Sequence, residues 1–219
     1  MVELRATTLQ LAKSVAAKVA TTFQRSKLYA ELESAYVATV DALSGTLEAK
    51  DSYTAMHARE MAEEAVLVSQ KLGLDDAQLR SVRYGALFHD IGKIGISGQI
   101  LNKPGPLTEA EFEQIGRHTL IGEQILAPVP LFKDVLPIVR HTHERWDGAG
   151  YPDGLKGEEI PLGARIVFVC DAYSAMTSDR PYRRAISGEA ACKELIACAG
   201  TQFDPAIVEA FLATVSYEP

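Results

Sequence analysis

The chain has 219 residues, with 22 Lys and Arg against 29 Asp and Glu, a formal charge of −7, and 47% apolar residues. This composition excludes a disordered chain and leaves no general attraction for duplex nucleic acid or an anionic membrane, although a local cationic pocket could still hold a small anion. The length suits one domain plus an appended segment.

From Leu4 to about Leu43 there is neither proline nor glycine, and Leu4, Leu11, Val15, Val19, Leu28, Leu32, Ala35 and Val40 recur at interrupted helical spacings. One long helix is expected, divided from the remainder as segments 1–43 and 44–219. At 1.5 Å per residue it would reach ~60 Å, more than a compact domain needs. Its apolar stripe must be covered, by its own domain or, the reading preferred here, by a second copy in a homodimer.

Further helices are expected over Asp51–Leu72, stopped by Gly73, and over Asp75 to about Phe88. Thr108 and Glu111 form a capping-box pattern that opens a helix to about Leu126. Pro128 and Pro130 precede a helix over Leu131–His143. A Gly- and Pro-rich loop follows over Asp147–Pro161, then helices over Gly163–Thr177 and Gly188–Ala199, and a last one capped by Asp204 and opened by Pro205. Alternating strand patterns are scarce, so the fold class is all-α. Cys170, Cys192 and Cys198 lack paired spacing and read as reduced core thiols. No run approaches the ~20 apolar residues of a membrane span, and Met1–Lys13 has no signal-peptide core, so a cytoplasmic location is expected.

The five histidines, His57, His89, His118, His141 and His143, fall at or near the ends of predicted helices. Any one of them alone would be read as exposed or as satisfied by one hydrogen bond. Together with Asp90, which directly follows His89 at the end of an apolar segment, they suggest a metal site, because a buried acid beside imidazole is costly unless paired or metal-bound. Imidazole and carboxylate suit Zn, Mn, Fe, Co or Ni, and a carboxylate can bridge two ions where a histidine normally holds one. Each helix can offer only one or two inward side chains, so ligands scattered over several helices fit a helical metal site.

His57, His89-Asp90 and Asp171 follow the order of the HD phosphohydrolase superfamily. More closely, His89 through Lys93, His118, His143 through Pro152, and Asp171 through Arg183 resemble the HD-GYP domain, over about Ser44 to Val215. The Gly150-Tyr151-Pro152 and Arg180-Pro181-Tyr182-Arg183 segments make the resemblance specific. It implies an all-α HD-domain bundle with an irregular glycine-rich loop, and metal-dependent hydrolysis of cyclic di-GMP or a related cyclic dinucleotide in bacterial signalling. His57, His89, Asp90 and Asp171 match the first metal site. Asp90, His118 and His143 match the second, with Asp90 as the bridge. Asp90 and Lys93 are the expected catalytic residues, Lys93 reaching the scissile phosphate.

Two positions depart from the family's pattern. Thr142 replaces the first of two consecutive histidines. His141 cannot simply stand in for it, since helical residues two apart point ~200° away from each other. Tyr53 stands where members with three metals place a glutamate, and a phenol is a poor ligand near neutral pH. One or two divalent transition-metal ions are therefore expected.

Arg180 and Arg183 match positions that hold substrate phosphates, for which guanidinium forks are suited. Arg145, Trp146 and Tyr151 in the loop could supply a surface for guanine, and Arg145 and Tyr151 are assigned to substrate binding. Around Leu28–Leu32 the long helix resembles the exit helix of a GAF-type sensor domain, implying an upstream sensor outside this chain. Two alternatives stay open. One is an HD phosphohydrolase acting on another nucleotide; the other is a degenerate, non-catalytic binding module, for which Thr142 is the argument.

Overall fold

In the computed structural model, residues 2–48, 55–179 and 184–215 are described, with side chains over 10–39, 59–179 and 184–215. The long helix α1 covers Val2–Glu48 and belongs mostly to a unit of its own, Met1–Ala42. Its apolar positions Leu11, Val15, Val19, Phe23, Leu28 and Leu32 are exposed.

In the second unit, Leu43–Pro219, the regular elements among the described residues are all helical, joined by turns and loops, with one isolated bridge between Ala199 and Phe203. Helix α2 is Ala55–Lys71 and α3 is Asp76–Phe88. The expected start at Asp51 lies outside the described residues. Gly73 ends the first of these helices with φ +76°, the left-handed conformation that glycine adopts at little cost. Asp75 then caps α3 by accepting from the amides of Ala77 and Gln78, and Gln78 returns a side-chain acceptor to the Asp75 amide.

The core forms where α2 and α3 meet α8 (Leu162–Thr177). Ala164, Ile166, Val167, Val169 and Cys170 on α8 are fully buried, with Ala65 and Val68 on α2 and Ala86 on α3. Helices α9 (Gly188–Ala197) and α10 (Pro205–Leu212) close the other side through Leu195, Ile207 and Phe211. Burial from several sides explains why α8 reads as apolar rather than amphipathic. Cys170 and Cys192 are buried free thiols, as expected, and Cys198 is half-buried.

Between α3 and α8 the chain is more broken than the sequence suggests. After α3 come a 3-10 turn over Ile91–Gly95 and the short α4 (Gly98–Leu101). The single helix expected from Thr108 to Leu126 is two, α5 (Glu109–Gly116) and α6 (His118–Leu126). Two side chains cause the break: His118 bonds the Ile115 carbonyl and Thr119 the Gly116 carbonyl, acceptors that an unbroken helix would give to amides. The helix expected over Leu131–His143 is also shorter, a 3-10 turn at Pro130–Phe132 followed by α7 (Leu136–His141).

Candidate metal centre

Asp90 lies between the C-terminus of α3 and the 3-10 turn that follows. That turn can approach α6 only because residue 92 is glycine: a Cβ there would sit 1.8 Å from the His118 carbonyl oxygen. Asp90 is thereby brought against His118. Its Oδ1 lies 3.4 Å from His118 Nε2, while its Oδ2 lies 3.3 Å from His89 Nε2.

Both imidazoles are oriented by the same device. His89 Nδ1 is 2.7 Å from the Ala86 carbonyl and His118 Nδ1 2.7 Å from that of Ile115. A carbonyl can only accept, so each Nδ1 carries a proton and each Nε2 is turned toward Asp90. This is the arrangement in which a histidine serves a metal through one nitrogen while the backbone fixes the other.

His143 lies just beyond α7, its ring 5.0 Å from that of His118 and 6.4 Å from that of His89. Ligand atoms of Asp90, His118 and His143 lie within 4.8 Å of one another. On the other side, Asp171 in α8 brings Oδ1 to 3.8 Å from His89 Nε2. The structure thus gathers five of the six expected metal ligands around Asp90. His57 belongs to α2, but its side chain lies outside the described residues.

The electrostatics favour a cation. Burial lowers His118, and burial with the neighbouring His118 holds His143 well below the ordinary imidazole range. Both are neutral ligands. His89 is also disfavoured as a cation by burial, but Asp90 and Asp171 outweigh this and raise it to about 9. Asp90 stays ionised: burial opposes this, and His89 and Lys93 prevail. Asp90 Oδ1 and His118 Nε2 are nevertheless buried without any hydrogen bond. Orphaned buried atoms of this kind are rare and costly, and one bound ion would satisfy both, so the residues present fit a divalent metal.

Lys93 Nζ is 2.5 Å from Asp90 Oδ2. Thr142 is fully buried and donates to the Ile138 carbonyl at 2.6 Å, so it is packed into the end of α7. His141 turns to a separate group, with Nδ1 3.7 Å from Glu144 and 3.6 Å from Asp153. As its helical direction implies, it does not join His143.

The Gly-Tyr-Pro loop is held from several directions. A Cβ at Gly150 would fall 2.3 Å from the Arg145 amide nitrogen, and the Tyr151 amide donates to the His143 carbonyl. The Tyr151 ring consequently lies 5.3 Å from that of His143. Burial, and then Asp90 and Asp171, keep its phenol protonated. Arg145, expected to contact substrate, instead grips Asp147 with two nitrogens and Gln202 with a third. These bonds tie the loop to itself and to the turn between α9 and α10. Trp146 is likewise occupied, under the Arg165 guanidinium at 5.7 Å. Arg180 and Arg183 lie outside the described residues.

Sequence reasoning missed Glu144 and Arg140. Glu144 is buried and accepts from the Asp153 amide; Arg140 bridges Glu123 on α6 to Asp153. Their only signal was a Glu directly after His143 and an Arg one turn before Glu144, which helical periodicity alone does not distinguish from a solvated face.

Residues 41–207 match the HD domain family. The chain is 42% identical over 185 residues to the cyclic di-GMP phosphodiesterase response regulator RpfG of Xanthomonas campestris, covering 83% of this chain and 49% of that protein. It is 37% identical over 188 residues to a cyclic di-GMP phosphodiesterase of Thermotoga maritima, covering 85% and 51%. Against the 3'3'-cGAMP-specific phosphodiesterase 3 of Vibrio cholerae the identity is 40% over 156 residues, covering 71% and 34%. The chain therefore spans about half the length, or less, of these relatives. In fold it is similar to the crystal structure of a cyclic GMP-AMP specific phosphodiesterase of V. cholerae, with TM-score 0.64 and 19% identity over 81% of this chain and 48% of the other. A HDG"Y"P protein from Bdellovibrio bacteriovorus gives TM-score 0.61 and 19% identity over 82% and 60%. Among the described residues no helix is long and apolar enough to cross a membrane. With the family match, the shared all-α architecture and the His and Asp cluster in agreement, this chain belongs to the HD domain family.

Proposed function

We propose that the chain is a metal-dependent phosphodiesterase that hydrolyses cyclic di-GMP in bacterial second-messenger signalling. The observation that carries this reading is the position of Asp90, one carboxylate oxygen toward His118 and the other toward His89, with His143 in the same ligand cluster and Asp171 on the far side of His89 Nε2. Such a carboxylate can serve two ions at once. When bound, divalent ions supply Lewis acidity that brings a water's pKa toward neutrality and stabilises charge on phosphate oxygens. Asp90, His118 and His143 would hold one, and His89, Asp90 and Asp171 with His57 the other.

The remaining roles belong to the chain's own groups. Lys93, paired with Asp90, places an ammonium at the edge of the centre, where it would meet a phosphate oxygen of the substrate. Arg180 and Arg183 are assigned to the substrate's phosphates by their match to the family pattern. Tyr151, kept neutral, offers a ring face and a hydrogen-bond donor. The relatives named for cyclic di-GMP favour that substrate, and the 40% identical relative named for 3'3'-cGAMP makes the mixed dinucleotide the second reading. In a cell we place the chain in the cytoplasm, as a homodimer paired through the exposed stripe of α1 and driven by an upstream sensor.

Metal content and cyclic di-GMP turnover, measured on one purified sample, test the proposal. Metal with turnover is the expected result. Metal without turnover of either dinucleotide would point to another phosphoester substrate. Absence of both would favour a non-catalytic binding module.

A further inference from the structure

A cavity of about 420 Å³ adjoins Tyr151, walled by α5, the start of α6 and the loop. Its lining includes Glu109, Phe112, Glu113, Arg117, Tyr151 and Pro152. The volume is in the range of small-ligand pockets, ~300–1,000 Å³. Tyr151 is shared between the two spaces: its ring lies 5.3 Å from His143 and 5.9 Å, edge to face at 87°, from Phe112. Phe112 is 55% exposed, an unusual position for an aromatic ring with no other aromatic neighbour among the described residues. The side chains of Glu109, Glu113 and Arg117 make no hydrogen bond or ion pair with another described residue, whereas nearby Glu111 is bound to Lys103 and Thr108.

We infer that this cavity is a guanine subsite, in which Phe112 and Tyr151 supply stacking surface while Glu109, Glu113 and Arg117 read the edge of the base. The inference rests on the cyclic-dinucleotide reading for its choice of a purine ligand. Aromatic faces bind any base, so discrimination must come from the polar rim. Guanine carries two adjacent N–H donors, at N1 and N2, beside the acceptors O6 and N7. A carboxylate matches the first pair and a guanidinium the second. Adenine reverses the pattern: its N1 lone pair would face a carboxylate and its N6 amine a guanidinium, leaving like against like. The subsite would accept either guanine of cyclic di-GMP, or the single guanine of 3'3'-cGAMP, and disfavour a dinucleotide with adenine alone.

The test is equilibrium binding of GMP and AMP to the purified 219-residue chain, read by calorimetry. GMP is expected to bind roughly tenfold or more tightly than AMP, the effect of a charge-assisted contact made in one case and frustrated in the other. The double substitution Glu109→Gln with Glu113→Gln should collapse that preference. Phe112→Ala should weaken both nucleotides by roughly tenfold through lost stacking. Equal affinity for GMP and AMP in the unsubstituted chain, or a preference that survives the glutamine pair, overturns the subsite. Cyclic di-GMP turnover is scored separately, so an inactive chain that still prefers GMP refutes the catalytic reading and leaves this one standing.

Discussion

Asp90 Oδ1 and His118 Nε2 lie 3.4 Å apart, both buried, and neither makes a hydrogen bond. Two adjacent lone pairs without a proton between them repel, and the contact is held by the glycine approach of the 3-10 turn to α6. The fold keeps these atoms ready for a cation. In Asp90→Asn the side-chain volume is retained and the charge lost. The variant is expected to lose metal affinity by more than the roughly ten- to hundredfold that follows loss of an outer-shell partner, with turnover falling in parallel. Elemental analysis after gel filtration checks this, and full occupancy would contradict the bridging role.

The neighbours of Thr142 can be separated in the same way. His143→Ala should release metal, while His141→Ala should leave metal content unchanged, because His141 faces Glu144 and Asp153. Restoring a second histidine by Thr142→His forces an imidazole into a fully buried position and removes the bond to Ile138. Overpacking of this kind costs about 1–3 kcal/mol, so a lower thermal midpoint is expected. Tighter metal with unchanged stability would show that the end of α7 can yield.

Gly150→Ala would place a methyl 2.3 Å from the Arg145 amide nitrogen and 2.6 Å from the His143 carbonyl oxygen. The loop must move, carrying Tyr151 and its bond to His143 with it. A loss of about 1–3 kcal/mol and a disproportionate fall in turnover are expected, read by denaturant unfolding alongside a rate measurement.

Glu64, half-buried on α2, is raised from 4.5 to about 7 by burial and then by Glu60. The folded state holds this proton more tightly than the unfolded one. Its favourable contribution is therefore complete below about pH 4.5 and is lost as pH rises through about 7. Glu64→Gln removes the titration. Relative to the unsubstituted chain it should gain about 1 kcal/mol of stability at pH 8, after discounting for solvent screening, and little at pH 5. Thermal melts at the two pH values give the comparison, and equal gains at both would assign the effect to packing.

Helix identity was legible from sequence because it depends on local pattern, and the His and Asp set was legible through the resemblance to the HD-GYP domain. The Asp75 and Thr108 caps, the Gly73 stop and the apolar run of α8 each lie within a few residues. The break at Gly116 was not legible, since it depends on His118 taking a backbone carbonyl, a choice settled by where Asp90 sits. The tie from Arg145 to the turn before α10 was hidden for a related reason. Gln202 is far along the chain, and nothing near residue 145 indicates it. Glu144 reads as one more acid until the fold buries it.

The loop's dependence on distant residues has a consequence for synthesis. Trp146 and Asp147 donate their amides to the carbonyls of Gln202 and Thr201, and Arg145 reaches the Gln202 side chain. A ribosome delivers these partners well after the loop itself. Until they emerge, His143 and Tyr151 lack the anchors that set them, and the emerging chain should capture metal poorly until the turn before α10 clears the exit tunnel. Contacts so distant in sequence also form slowly, because loop-closure entropy must be overcome before they stabilise anything. A nascent chain stalled just short of Gly200 should thus remain open to protease within residues 144–161, whereas one extended through α10 should resist it.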